Sequence, residues 1–121
     1  VNNDYVLNLS TQVKPAKKFL VDGEPYDMLG LEHLSPEMEA RSTALFSRHE
    51  AMQRQLSTGL SQHESESVAK RMRDVRVEII ATLTTMPKDK ISELPLPAQV
   101  DLLDALRIEQ MDDGAVSGAA A

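Results

Sequence analysis

The chain has 121 residues, with thirteen Lys and Arg against nineteen Asp and Glu, and so a net charge of -6. That balance argues against general nucleic-acid binding. The absence of cysteine excludes disulfides, a thiol nucleophile and a zinc-thiolate site. No apolar run approaches the roughly 18 residues of a membrane span, and no secretory signal opens the sequence, so a soluble cytoplasmic protein is expected.

The aromatic residues are Phe19, Phe46, Tyr5 and Tyr26, and tryptophan is absent. Aromatic side chains supply much of the area that cores bury, so Leu, Met, Ile and Val must do that work here. A small domain with such a core is marginal, and a homo-oligomer or a protein partner is a natural way to complete it. Charge is also uneven. Residues 41–90 carry nine bases and six acids, whereas residues 91–121 carry Arg107 against six acids. A basic middle between acidic ends favours antiparallel docking, within one chain or between copies.

In chain order, residues 1–16 are polar with one alternating patch at Tyr5, Leu7 and Leu9, which reads as a loose strand or an arm that orders on a partner. Pro15 ends regular structure there, because Lys14 is pushed to extended geometry. Phe19 and Val21 then lie on one side of an extended strand. Asp22 and Gly23 are a strong hairpin signal, since Gly tolerates the positive φ such turns require. Tyr26 and Met28 continue on the return strand, where Pro25 points to an edge. A lone hairpin is marginal in water, so it must lie on the helices or pair with another chain.

Ser35 is placed to cap a helix, with Pro36 at its first position and Glu37 and Glu39 near its positive end. The helix is expected over residues 36–56. Its narrow apolar stripe runs Met38, Leu45, His49, Met52, Leu56, interrupted at Ser42 and His49. Ser57, Thr58 and Gly59 stop it. Ser61 or Ser65 caps a second helix reaching about Thr85. Val68, Met72, Val75, Ile79, Leu83 and Met86 give it the clearest amphipathic pattern in the chain, widened by Val77 and Ile80. The short link predicts an antiparallel helical pair. Met86 and Pro87 close the second helix, and a short turn is expected over residues 89–94. A third main helix over residues 97–110, apolar around more than half its circumference, ends near Asp112, Asp113 and Gly114. The expected organisation is therefore an arm over 1–16, one helical domain with an N-terminal hairpin over 17–111, and a disordered tail over 112–121. The fold class is mainly α: a short β-hairpin, an antiparallel pair of long helices and a shorter C-terminal helix.

Chemistry is sparse. His33, His49 and His63 lack the three- or four-residue spacing of helical metal ligands. Nucleotide-cradling glycine motifs and the nucleophile-elbow motif are absent. His49, on an apolar stripe, reads first as a half-buried histidine with a hydrogen-bond partner, and otherwise as a pH-sensitive packing position. Lys70, Arg71, Arg73 and Arg76 form the strongest basic run. Asp74 and Glu78 interrupt it and no aromatic residue accompanies it, which favours a solvated or salt-bridged face over phosphate contact. Met38, Met52, Met72 and Met86 serve as core filler or, as a group, as a groove able to repack around partners. No catalytic, cofactor or metal site is expected, and the chain does not read as an enzyme.

The stretches FLVDGEPYDML, LEHLSPEMEARSTALFSRHEAMQRQL and VRVEIIATLTTMPKDKISELPLPAQVDLLDAL resemble a loose family of tail assembly chaperone-like proteins from long-tailed bacteriophages. The likeness is one of element order over about residues 17–110: a DGE hairpin, LS opening a long helix, an apolar helix end before a proline turn, and a final apolar helix. Pro25 and the serine-rich link at 57–67 depart from that pattern. The resemblance implies a non-enzymatic role in the host cytoplasm during assembly, keeping the tape-measure protein soluble and recruiting tail-tube protein, with a small structural protein retained in the particle as the alternative. It also implies contact by helix-in-groove docking and strand addition. The expected contact residues are Met52, Leu56, Met72, Val75 and Ile79 on the stripes and Phe19, Val21 and Tyr26 on the hairpin. Neither nucleic acid nor membrane is an expected partner.

Overall fold

The computed structural model describes residues 15–119, with side chains through Gln110. The expected arm lies outside the described residues apart from Pro15 and Ala16, as do the side chains of the expected tail.

The chain first forms a hairpin of β1 (Lys17–Val21) and β2 (Glu24–Met28). Asp22 at φ 49° and Gly23 at φ 84° make the tight link, both in the left-handed region that a two-residue turn of this twist requires. The register pairs Phe19 with Tyr26 and Leu20 with Pro25. Successive pairs alternate between hydrogen-bonded and outward-facing. Val21 and Glu24, which flank the turn, bond to each other, so Pro25 falls at an outward position and its missing N–H takes nothing from the pairing with β1. The rings of Phe19 and Tyr26 sit 5.8 Å apart on the inner face.

The hairpin is held on its β2 side by the chain that leaves the second long helix. Met28 bridges to Thr84. Leu29 N–H donates to Leu83 O at 2.8 Å, Thr85 N–H to Asp27 O at 3.1 Å, and Asp27 N–H to Thr85 Oγ1 at 2.8 Å. This solves the marginality of a lone hairpin: its return strand makes two further backbone bonds and one to a threonine hydroxyl. A 3-10 turn follows at Leu31–His33, with His33 Nδ1 accepting from Gly30 N–H at 3.0 Å.

Two helices make the body. Helix α1 (Pro36–Leu56) starts where Ser35 Oγ accepts from Met38 N–H, and α2 (Gln62–Leu83) where Ser61 Oγ accepts from Glu64 N–H, each at 3.2 Å. Ser61, rather than Ser65, is the cap. Gly59, at φ 76°, turns the chain between them. Helix α3 (Lys88–Glu93) is one short piece after Pro87, and α4 (Leu96–Ala119) follows it, continuing past the stop expected near Asp112, Asp113 and Gly114.

The main core gathers Leu45 from α1, Val75, Ile79, Ile80 and Leu83 from α2, Met86, Ile91 from α3, and Leu103 and Leu106 from α4. Phe19, Val21, Tyr26 and Met28 cover it from the hairpin. The α2 spacing read from sequence is the spine of this core. Ser42, also buried, stands where the stripe of α1 is interrupted and donates to Glu39 O, so a small hydroxyl fills that gap without an unpaired proton. Ion pairs tie the layers at the surface: Lys17 to Glu109 at 2.9 Å, Arg41 to Glu78 at 3.0 Å, and Lys88 to Glu78.

Candidate functional site

Helices α3 and α4 meet α2 from its middle onward. Arg73 donates to Ser92 O at 2.8 Å, and Arg76 Nε donates to Gln99 Oε1 at 3.2 Å. From there α4 runs toward the hairpin, where Gln110 Nε2 donates to Leu29 O at 2.8 Å. It therefore lies against the lower half of the α1–α2 pair. The upper half, from Met52 through the link to Met72, is a two-helix projection. There Val68 and Met72 are buried, Met52 is half-buried and Leu56 is 36% exposed.

The contact residues read from sequence divide accordingly. Ile79 is fully buried, with Val75 and Met72 close behind, and Ile79 and Val75 belong to the main core. They hold the molecule together and offer no surface to a partner. Phe19, Val21 and Tyr26 are half-buried under the hairpin. Met52 and Leu56 stand at the projecting end. The structure does not bring the two groups into one patch. Sequence reasoning missed the most exposed apolar side chains: Leu20 at 70%, Ile108 at 58% and Leu96 at 52%. Leu20 had a signal, since it alternates with Phe19 and Val21 and so faces away from them.

A buried polar joint sits among α1, α2 and α4. His49 is 2% exposed and Gln99 fully buried. Gln99 accepts from Arg76 and donates to Ile91 O at 3.1 Å and Leu94 O at 3.2 Å, so one amide ties α2, α3 and α4. Arg76 is 6% exposed, which corrects for that residue the reading of the basic run as a solvated or salt-bridged face: Lys70, Arg71 and Arg73 are exposed but Arg76 turns inward. The guanidinium of Arg107 lies over the Phe46 ring at 5.3 Å from its centroid, in the geometry of a cation–π contact.

His49 is deeper than expected, and neither ring nitrogen has the expected hydrogen-bond partner among the described residues. Burial holds its pKa below the ordinary histidine value, helped by the charges of Arg76 and Arg107 and opposed by Glu50 and Asp104. The neutral ring is the form the fold keeps. This joint fixes how the helices sit; it presents no nucleophile with a base, and among the described residues no group of His, Asp and Glu is placed to hold a metal. No described helix is long and apolar enough to cross a membrane.

The fold defines a mainly helical protein with an N-terminal antiparallel two-stranded hairpin. Comparison with protein families, curated proteins and solved structures found no match to this chain.

Proposed function

We propose that the chain is a non-enzymatic assembly chaperone or adaptor of phage tail morphogenesis, acting in the host cytoplasm on the tape-measure protein and tail-tube subunits. One observation supports this reading above the others. Exposed apolar side chains stand at two helical surfaces: Leu56 beside Met52 at the projecting end, and Leu96, Val100 and Ile108 along α4. Both suit the apolar stripe of a long partner helix, the helix-in-groove mode of recognition. The resemblance in element order supplies the identity of that partner, and a second copy of the chain is the further expected occupant of such surfaces.

Co-expression tests the reading. The chain is expected to raise the soluble yield of a tape-measure fragment and to retain tail-tube protein on a column. Leu56→Asp and Ile108→Asp are expected to weaken capture while leaving the helical signal of the free chain intact. Failure of the intact chain both to solubilise the fragment and to bind tube subunits ends the proposal. Finished particles separate the roles: a chaperone is missing from them, and a structural protein is present in many copies.

A further inference from the structure

Helix α2 meets α4 through Arg76, and another side of it forms the floor of a groove of about 460 Å³, at Asp74, Val77 and Glu78. Helix α1 supplies one wall, with Leu45 and Arg48, and α3 the other, with Lys88 and Ser92. The cationic side chains at the groove are Arg48, Arg73 and Lys88, and the carboxylates are Asp74 and Glu78. Glu78 is already taken up, bonded to both Lys88 and Arg41. Arg73 is fixed at the rim by its bond to Ser92 O at 2.8 Å. Arg48 is exposed and makes no ion pair among the described residues. The same holds for Lys70 and Arg71, one turn before Asp74 on α2. In a chain of net charge -6, this face has the opposite sign.

We propose that the groove is a docking site for an acidic amphipathic helix of a partner protein, one whose apolar stripe is flanked on both sides by Glu or Asp. The floor offers the half-buried Val77 to that stripe, and the aliphatic stems of the long cationic side chains widen it. Cations stand on both walls, Arg48 on one and Lys88 with the tethered Arg73 on the other, so each acidic flank meets a positive charge. Lys70, Arg73 and Val77 follow the i, i+3, i+7 spacing of one helix face, which a partner helix laid along α2 repeats. The bond from Arg73 to Ser92 O holds that guanidinium in place before any partner arrives, which lowers the ordering cost of docking.

A nucleic acid fits this face less well. Asp74 and Glu78 interrupt the positive surface, no aromatic ring lines the groove for base stacking, and a phosphate backbone brings nothing apolar to cover Val77. Charge also directs an acidic helix here rather than to α4, where the exposed Asp101 and Asp104 stand beside Val100 and Ile108 and repel it. The inference rests on this charge pattern and does not depend on the assembly role.

Titration of the isotope-labelled full chain tests it. The probe is a synthetic peptide of three heptads, with Leu at positions a and d and Glu at e and g, whose like charges keep it from pairing with itself. The amides of Arg48, Asp74, Val77 and Ser92 are expected to shift. A peptide with Gln in place of each Glu is expected to bind about tenfold or more weakly, and so is the Glu peptide to a chain carrying Arg48→Glu with Lys70→Glu. Both replaced side chains are exposed, and unchanged shifts at Ile79 and Leu83 report that the variant keeps its core. No shift at the groove overturns the proposal. Shifts confined to Leu56, or to Val100 and Ile108, also overturn it, by giving the peptide to the apolar surfaces. Equal binding by the Glu and Gln peptides, or by the native and reversed chains, does the same. A single-stranded oligodeoxynucleotide that shifts the groove amides at lower concentration than the Glu peptide would assign the face to phosphate and overturn it as well.

Discussion

The two halves of the α1–α2 pair carry the same kind of apolar spacing and have different surroundings. In the lower half, Val75, Arg76, Ile79, Ile80 and Leu83 of α2 are all buried, enclosed by α1, α3, α4 and the hairpin. In the upper half the buried side chains are Val68 and Met72, and the facing Met52 and Leu56 stay partly in water. The repeat alone cannot distinguish these cases, because two helices can satisfy a narrow stripe. What distinguishes them is the width of the apolar face. Val77 and Ile80 flank the lower stripe, and nothing equivalent flanks the upper one. A wide face needs several neighbours, and a narrow one needs only its partner helix.

The largest effect expected from this contrast is in the core. Ile79→Ala removes a fully buried side chain from the point where the layers meet, and should cost about 2–5 kcal/mol in urea unfolding. Leu56→Ala, at 36% exposure, should cost less than about 1 kcal/mol. Comparable losses would mean that the upper half is covered as thoroughly as the lower.

Next comes the polar joint. Gln99→Leu keeps the volume but leaves the Arg76 Nε–H and the carbonyls of Ile91 and Leu94 without the amide that serves them. An abandoned buried group costs about 1–3 kcal/mol, more when charged, so a loss of about 3 kcal/mol is expected. Arg76→Met with Gln99→Leu should recover part of it, since replacing both partners by apolar groups removes the unpaired charge. If the double variant is no more stable than Gln99→Leu alone, the pair does not act as a unit.

The same joint makes the lower half sensitive to mild acid. The folded state holds His49 neutral, below the ordinary histidine value of 6.5, while the unfolded chain takes up its proton near that value. The unfolded state therefore binds more protons below about pH 6.5, and stability falls as pH drops from there toward the lower folded value, with a slope of at most about 1.4 kcal/mol per pH unit. Glu78 acts in a different window. Lys88, with Arg41 adding to it, holds its carboxyl below the usual 4.5 against the opposing effect of partial burial, so that contribution is lost only as pH falls below that value. Urea midpoints between pH 5 and 7.5 should slope in the native chain and flatten in His49→Leu. An unchanged slope would assign the acid sensitivity elsewhere.

The hairpin, both long helices and the spine of the core were legible because each is written locally: Asp22 and Gly23 for the turn, Ser35 for the first cap and Ser61 or Ser65 for the second, a helical repeat for α2. The parts that were not legible depend on partners distant in sequence. Thr84 and Thr85 read as the last residues of the second helix, yet α2 ends at Leu83 and the two threonines pair with β2 beside them. Arg76 read as one of a solvated basic run, though it stands one turn from Met72 and from Ile80 on the buried side. Gln99 was one of several polar residues on the last helix, with Asp101, Asp104 and Arg107, and its burial depends on Arg76 and the end of α3. For the contact residues the limit was of another kind. Periodicity reports that Val75 and Ile79 face something, and only the fold shows that they face the chain's own core.

The smallest expected effect sharpens the contrast between the halves most directly. Gly23 and Gly59 both have φ in the left-handed region, and a Cβ at either would meet nothing within 4 Å. Gly→Ala therefore carries the same local cost at both, about 1–2 kcal/mol of backbone strain with no steric addition. Their settings differ. The hairpin is bonded through β2 to the end of α2, so strain at Gly23 is felt by the cooperative unit and should appear in the global unfolding midpoint. Gly59 sits at the tip of the two-helix projection, where few buried contacts oppose local opening. Gly59→Ala should instead speed exchange of the amides around Leu56 and Ser61 while moving the global midpoint less than Gly23→Ala does. Equal shifts in the midpoint would show that the projection unfolds only with the core, and that two packed helices suffice to make it part of one cooperative structure.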